Sequence, residues 1–305
     1  MVKAVIDVGS NSVLTLVAEA RSKGWKALAE TTEVTGLGKG TKTTMLLSED
    51  SVARTLGALE RGYKTAREHG ASEIVAAATM AARIATNTPD FLARAESQGT
   101  PVSILSGEDE ARLGFLAVAN DPLFAADSRI SIIDVGGHST ELVTADREES
   151  GWNMLTKKSY PVGALGLREG PLRIDTPNFR ERLEAVSEVD DAIGHRYLPG
   201  AAGHVVTLGA TGTNLVTIRE GLREWNVDLV HGAWLDYEEV SKAVDMLCSM
   251  DDTQRSKVVG IEKGREHTLH AGALILERFL FALGVEGCTV SVRGWRHALL
   301  ETLPM

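Results

Sequence analysis

Cysteine is nearly absent. The 305 residues carry two, Cys248 and Cys288, at no spacing that suits a metal site. This excludes a disulfide framework and a cysteine-ligated zinc centre, and points to two buried, reduced thiols in a cytoplasmic protein. Long apolar runs are also missing. No stretch approaches the ~20 residues a membrane-spanning helix needs. Met1-Val2-Lys3-Ala4 leads straight into a strand, so no signal peptide is expected. Positive charge is not in excess: the net charge of −10 argues against a general nucleic-acid binder. The chain has no Walker loop, no Ser-His-Asp order, no low-complexity tract and no repeat shorter than a domain. What remains is the composition of an ordinary globular protein, 43% hydrophobic and 24% charged. Its length is natural for two domains.

The chain does contain one phrase used twice. The first copy is Val5-Ile6-Asp7-Val8-Gly9-Ser10-Asn11-Ser12, and the second is Ile132-Ile133-Asp134-Val135-Gly136-Gly137-His138-Ser139-Thr140-Glu141. Each is a β-branched run, an Asp, a glycine-containing turn with small hydroxyl residues, and another apolar run. The pattern predicts a β-hairpin with a tight turn. Small residues leave the backbone open, so the N–H groups of Gly9, Ser10 and Asn11, and of Gly136, Gly137, His138 and Ser139, can converge on phosphate. An Asp at the strand end can hold a divalent cation or a water.

These two segments, together with Leu208-Gly209-Ala210-Thr211-Gly212-Thr213, resemble the exopolyphosphatase / guanosine pentaphosphate phosphohydrolase family of the actin / Hsp70 / sugar-kinase superfamily. Ala78-Thr79-Met80-Ala81-Ala82-Arg83 with Asn87, and residues 105–113 around Glu108-Asp109-Glu110, extend the likeness through nearly the whole chain. The resemblance implies an α/β fold of two actin-like (ribonuclease H-like) lobes with a cleft between them. The first lobe is expected over 1–124 and the second over 125–305, with the last helix free to pack back on the first.

The implied chemistry is hydrolysis of a phosphoanhydride. Most of that catalysis is positioning and electrostatics. By family position Glu110 is the base that activates water; as residues alone, three acids opening a helix also read as capping and dipole chemistry. Arg83, just past a strand end, can clamp a terminal phosphate or lie on the surface. Asp7, Asp134 and Glu141 are the expected Mg²⁺ anchors, direct or through water. Ser139 and Thr140 complete the second phosphate turn, and Gly209 and Thr211 lie where superfamily relatives hold a nucleotide. Positive charge for a polyanion is offered by Arg83, Arg112, Arg168, Arg173, Lys263, Arg265, Arg293 and Arg296. The expected partner is inorganic polyphosphate or a guanosine polyphosphate, with no membrane and no nucleic acid polymer; a homodimer is compatible with this reading.

Some positions depart from the family pattern. His138 stands where a third glycine is usual, and Leu14 where a basic residue is common. Glu266-His267-Thr268-Leu269-His270 and Gly294-Trp295-Arg296-His297 are also unusual. No C-terminal helical extension of the kind longer members carry is expected. The leading reading is an exopolyphosphatase. The alternatives are a guanosine pentaphosphate 5′-phosphohydrolase and a weakly active polyphosphate or alarmone sensor. A kinase of the same superfamily ranks lower, because no acid that would activate an acceptor hydroxyl can be singled out.

The coarse element pattern is strands over 3–6, 13–20 and 25–34, a loop over 35–44 and a helix over 48–69. A strand over 73–78 and a turn with a short helix over 79–85 follow, then a helix opened by Pro89, a strand over 102–105 and a helix capped by Ser106. Residues 120–128 read as a linker. In the second half, a helix is expected from Thr176-Pro177 to about Leu198, a strand over 204–208 and a helix from the Asp236/Glu239 capping box. A helix over 267–283, a strand over 288–292 and a helix over 295–303 end the chain. His267 and His270 sit three apart on that expected helix face, a spacing that also suits a metal pair.

Overall fold

The computed structural model describes residues 1–22, 24–194 and 202–303. The chain divides into two compact units, one formed by Met1–Leu113 with Trp295–Met305 and the other by Gly114–Gly294.

The first unit opens with a meander. Strands β1 (Val2–Val8), β2 (Ser12–Ala20) and β3 (Trp25–Val34) pair antiparallel. β1 is almost wholly buried, as a β-branched central strand covered on both faces should be. Next come α1 (Thr41–Thr44), α2 (Glu49–Glu68), β4 (Glu73–Ala78), α3 (Met80–Ile84), α4 (Thr88–Ser97) and β5 (Ser103–Ile104). β4 lies parallel to β1, and the sheet order is β3-β2-β1-β4-β5. α2 forms because its ends and its stripe agree. The Ser48 hydroxyl accepts from the Ser51 N–H at 3.3 Å, Glu49 and Asp50 complement the dipole, and Val52, Leu56, Leu59, Tyr63 and Ala66 recur at helical spacing and are buried. α5 (Gly107–Ala119) opens at the end of this unit.

The second unit repeats the scheme. After a 3₁₀ turn at Pro122–Phe124, β6 (Arg129–Val135), β7 (Thr140–Glu148) and β8 (Gly151–Tyr160) form an antiparallel meander. Then follow α6 (Ala164–Glu169), α7 (Phe179–Ile193), β9 (His204–Leu208), α8 (Gly209–Arg219), α9 (Val227–Val230), β10 (Trp234–Asp236), α10 (Tyr237–Cys248), α11 (Asp252–Arg255), α12 (Leu269–Leu283) and β11 (Gly287–Val290). Its order is β10-β11-β9-β6-β7-β8, with β9 parallel to β6 and β11 parallel to β9. Read from the meander outward, β8-β7-β6-β9-β11 matches β3-β2-β1-β4-β5 in order and sense. Each unit is thus an actin-like lobe. α13 (Trp295–Thr302) belongs to the first unit, where Arg296 donates to Glu30 at 2.9 Å.

α12 supplies much of the second core. It is apolar nearly all round, and Leu274, Ile275, Leu276, Phe279 and Leu280 are fully buried, each worth about 1.5–3 kcal/mol. No helix among the described residues is long and apolar enough to cross a membrane. Both cysteines are buried and free, and burial pushes the Cys288 thiol up to about 12.

Several expectations need correction. The strand expected over 102–105 shrinks to two residues. The stretch 120–128 is an ordered turn with Phe124 in its core rather than an open linker, and the division between units falls earlier, after Leu113. The cap of α7 is Asn178, whose side chain forms a capping box with Glu181, in place of Thr176; the helix stops at Ile193 with Gly194 in the left-handed region. The expected end at Leu198 lies outside the described residues. α12 begins at Leu269, so His267 precedes the helix and shares no helix face with His270. Burial holds the His270 imidazole at about 3, while His267 bonds to Asp252, so they form no metal pair.

Arg255 was not foreseen. It is fully buried and donates to the carbonyls of Glu266 (2.8 Å), Leu247 (2.7 Å), Met250 (2.6 Å) and Asp175 (3.1 Å), and to the Asp252 carboxylate. It ties α10, α11 and the approaches to α7 and α12 together by donating to several backbone carbonyls at once. Arg255→Met should therefore cost about 3–5 kcal/mol in urea unfolding. A loss below about 1 kcal/mol would show that these carbonyls find water instead.

Candidate active site

Each hairpin turn is tied down by the segment that follows its sheet's third strand. In the first unit, the Gly9 N–H donates to Ser12 O at 2.9 Å and closes the turn. Gly38 N–H holds the Ser10 carbonyl (2.8 Å), and the Thr35 and Gly36 amides hold that of Asn11 (3.0 and 2.9 Å). In the second, the Gly136 N–H donates to Ser139 O at 2.9 Å. The Ala164 amide holds the Gly136 carbonyl (2.9 Å), and the Leu165 and Gly166 amides hold that of Gly137 (2.8 and 3.1 Å). In a trans peptide the N–H points opposite to its C=O. Drawing the carbonyls one way therefore turns the N–H groups of Asn11, Gly137 and His138 the other way, the arrangement an anion-binding turn needs. Gly9 and Gly136, expected to contribute their amides to phosphate, spend them on closing the hairpins.

Gly163 is why the second turn can be held so closely. A Cβ there would lie 2.5 Å from the Gly137 carbonyl carbon and the His138 nitrogen, so any side chain would displace the turn. The Thr140 hydroxyl donates to the Val162 carbonyl at 2.7 Å and Thr140 is fully buried, so its side chain serves this same junction. Ser10 and Ser139 are buried as well, and the Ser10 hydroxyl accepts from the Ala81 N–H at 3.2 Å. The His138 ring is fully buried, with Nε2 3.9 Å from a Glu169 carboxylate oxygen.

The acids divide unequally between the turns. Asp134 and Glu141 are directly opposed on β6 and β7, while Asp7, at the equivalent point, is opposed by Leu14. Directly paired like charges repel. Glu141 is also buried, and the Ser159 hydroxyl on β8 donates to its Oε1 at 2.7 Å. Two hard carboxylates side by side suit Mg²⁺, which keeps several waters and needs few protein ligands. Among the described residues no group of three His, Cys, Asp or Glu side chains is placed to hold a metal. A cation here would rest on Asp134 and Glu141. Gly209 opens α8 in the left-handed region, φ +77, and a Cβ there would come 3.0 Å from Asp134 Oδ1. Glycine thus brings the start of α8 against that carboxylate. Thr211 turns away: it is buried against α12, where a Cβ on Gly272 would meet its hydroxyl at 2.5 Å.

Glu110 lies in the first turn of α5 but takes no part in the cap. Ser106 and Asp109 form that cap, through Asp109 N–H to Ser106 Oγ at 3.0 Å. Glu110 instead accepts from Arg83 Nη1 at 2.8 Å, and the same guanidinium donates to the Leu105 carbonyl at 2.7 Å. Burial pushes the Glu110 carboxyl above the ordinary range, and Arg83 offsets part of the rise. Arg83 is thus mostly buried and engaged with the acid, rather than lying on the surface. Most other basic candidates are paired: Arg112 with Asp109, Arg168 with Asp175 and Asp252, Arg265 with Glu262, Arg293 with Asp121, and Arg296 with Glu30. Arg173 and Lys263 are exposed.

Sequence reasoning passed over Ser159, Gly163 and the amide donors at 35–38 and 164–166. Ser159 carries no motif; counting register across three strands from Asp134 is the one signal that finds it. A groove of about 580 Å³ lined by Ser128, Arg129, Asp146, Arg147, Glu148 and Gly203 lies at the other end of β6 from the turn and includes none of the expected site residues.

The Ppx/GppA phosphatase family profile matches residues 16–303. "Exopolyphosphatase 2" of Mycobacterium tuberculosis (strain CDC 1551 / Oshkosh) is 26% identical over 327 residues, covering 99% of this chain and 97% of its own. "Exopolyphosphatase 1" of Mycobacterium leprae (strain TN) is 30% identical over 312 residues, covering 98% and 87%. The crystal structure of an Aquifex aeolicus Ppx/GppA family member superposes with a TM-score of 0.79 at 28% identity, covering 98% of this chain and 96% of that one.

The raised Glu110 has a thermodynamic consequence. The folded state binds this proton more tightly than the unfolded state, so its contribution to stability is full below the unfolded pKa and lost as pH rises through the folded value. Urea midpoints of wild type and Glu110→Gln, taken over a pH series, should diverge in the variant's favour through that window. Adding Arg83→Met to the wild type should move the window to higher pH. A difference independent of pH would contradict the assignment.

Proposed function

The chain belongs to the Ppx/GppA phosphatase family and is a phosphoanhydride hydrolase, and from that premise we propose that it is an exopolyphosphatase, releasing the terminal phosphate of inorganic polyphosphate. The observation that carries this reading is the repeated turn, closed by the same glycine N–H to serine carbonyl bond in both units and held in each by amides beyond the third strand. Two amide-lined turns suit a substrate made of repeating phosphates, and the names of the curated relatives favour the same substrate.

The proposed step is attack by water on the terminal phosphorus, with cleavage of its bond to the bridging oxygen. Glu110 takes the water's proton, and its raised pKa makes it a stronger base than an ordinary carboxylate. The shortened chain leaves as a phosphate anion. The turn amides of Asn11, Gly137 and His138, with Ser10 and Ser139 supporting the turns, bind non-bridging oxygens. The amides at the start of α8, opened by Gly209, add a helix N-terminus to this set. Arg83 holds Glu110 in place and is within reach of any phosphoryl group bound beside that acid. Asp134 and Glu141, directly opposed on β6 and β7, would hold Mg²⁺. The ion would supply positive charge against the phosphoryl oxygens.

Wild-type protein incubated with long-chain polyphosphate and Mg²⁺ should release orthophosphate, and Glu110→Ala should lower kcat by about 10²–10⁴. Guanosine pentaphosphate offered in competition should show the smaller kcat/KM. Absence of release, or equal release from Glu110→Ala, would remove the mechanism. A larger kcat/KM for the guanosine substrate would reassign the activity within the family.

A further inference from the structure

We infer that Ser159 is a positioning residue that holds the Glu141 carboxylate for a divalent cation, an inference that rests on the proposed role of Asp134 and Glu141. Three adjacent strands carry Asp134, Glu141 and Ser159 at one level: Asp134 pairs with Glu141 across β6 and β7, and Glu141 with Ser159 across β7 and β8. Directly paired residues project to the same face of a sheet, so the three side chains stand in a row. Ser159 Oγ closes the row by donating to Glu141 Oε1 at 2.7 Å.

The chemistry of the donor matters. A lysine or arginine at Ser159 would also bind the carboxylate, but it would cancel one of the two charges that attract the cation. A hydroxyl fixes one oxygen and leaves the charge of the pair intact. It also removes rotamer freedom from a long side chain before the ion arrives, so less ordering is left for the binding step. The equivalent row in the first unit is Asp7, Leu14 and Thr32. There the middle position is apolar, and the outer hydroxyl has no carboxylate opposite it to orient. The acid and its donor occur together in the second unit and are both missing as a pair from the first.

Ser159 is exposed on a sheet-edge strand, so its substitution is separable from core packing. The test uses the full chain as wild type, Ser159→Ala, Ser159→Thr and Glu141→Gln. Mn²⁺ binding without substrate is read from the electron paramagnetic resonance signal of the free ion. Ser159→Ala should weaken Mn²⁺ binding about tenfold, the lower end of the usual effect of removing a partner from a metal ligand. Ser159→Thr, which keeps the hydroxyl, should restore most of it, and both variants should keep a cooperative urea transition. The Mn²⁺ concentration for half-maximal phosphate release should rise in parallel, with kcat at saturating metal nearly unchanged. Wild-type affinity in Ser159→Ala, alongside loss in Glu141→Gln, would overturn the role of Ser159 and leave the proposed function standing. Wild-type affinity in Glu141→Gln as well would overturn the ligand assignment itself.

Discussion

A tight turn between two strands cannot by itself decide which way its peptide planes face. In both lobes that decision is made by hydrogen bonds to the turn's carbonyls from the residues just beyond the third strand: 35–38 in the first and 164–166 in the second. Once the carbonyls are drawn toward those donors, planarity commits the opposite edge of each peptide to present N–H groups. The rest of the proposed site is arranged around this constraint. Gly163 leaves room for the approach, Thr140 locks the strand end to the Val162 carbonyl, and Gly209 lets the next helix begin against Asp134.

The lobes share a frame but not a charge distribution. Both end their first strand in an Asp before the turn. The second alone sets a glutamate opposite it, buried and oriented by Ser159, where the first has Leu14. The net charge of −10 is a sum over the whole chain, whereas the turn amides present partial positive charge locally. Glu110 is tuned by two opposed effects: burial raises its pKa and the Arg83 guanidinium lowers it, with burial the larger.

The fold was legible wherever a local rule acted alone. The meanders, α2 and the Asp236/Glu239 box follow from alternation, helical spacing and capping chemistry. α7 shows the limit. Thr176-Pro177 and Asn178 both look like caps, and only the backbone shows that the Asn178 side chain reaches the amides of Arg180 and Glu181. α12 shows another: a continuous apolar run does not mark its own first residue, and the helix starts at Leu269, after His267. At the site, the acids and the turns announced themselves by repetition. Arg255 and Ser159 did not, because a buried arginine and a serine on an edge strand look in sequence like any surface residue.

Sequence by itself determined the two-lobed plan, the strand-end acids and the small-residue turns, because these depend on residue type and spacing within a few positions along the chain. Tertiary structure decided what those residues do. It consumed the Gly9 and Gly136 amides in closing turns and freed others. It buried the His138 ring, set Arg83 against Glu110 and brought Ser159 to Glu141, 18 residues away. Each of these outcomes depends on strand register and on donors distant in sequence. A side chain's partners are therefore settled by what the fold brings beside it, and no local pattern encodes them.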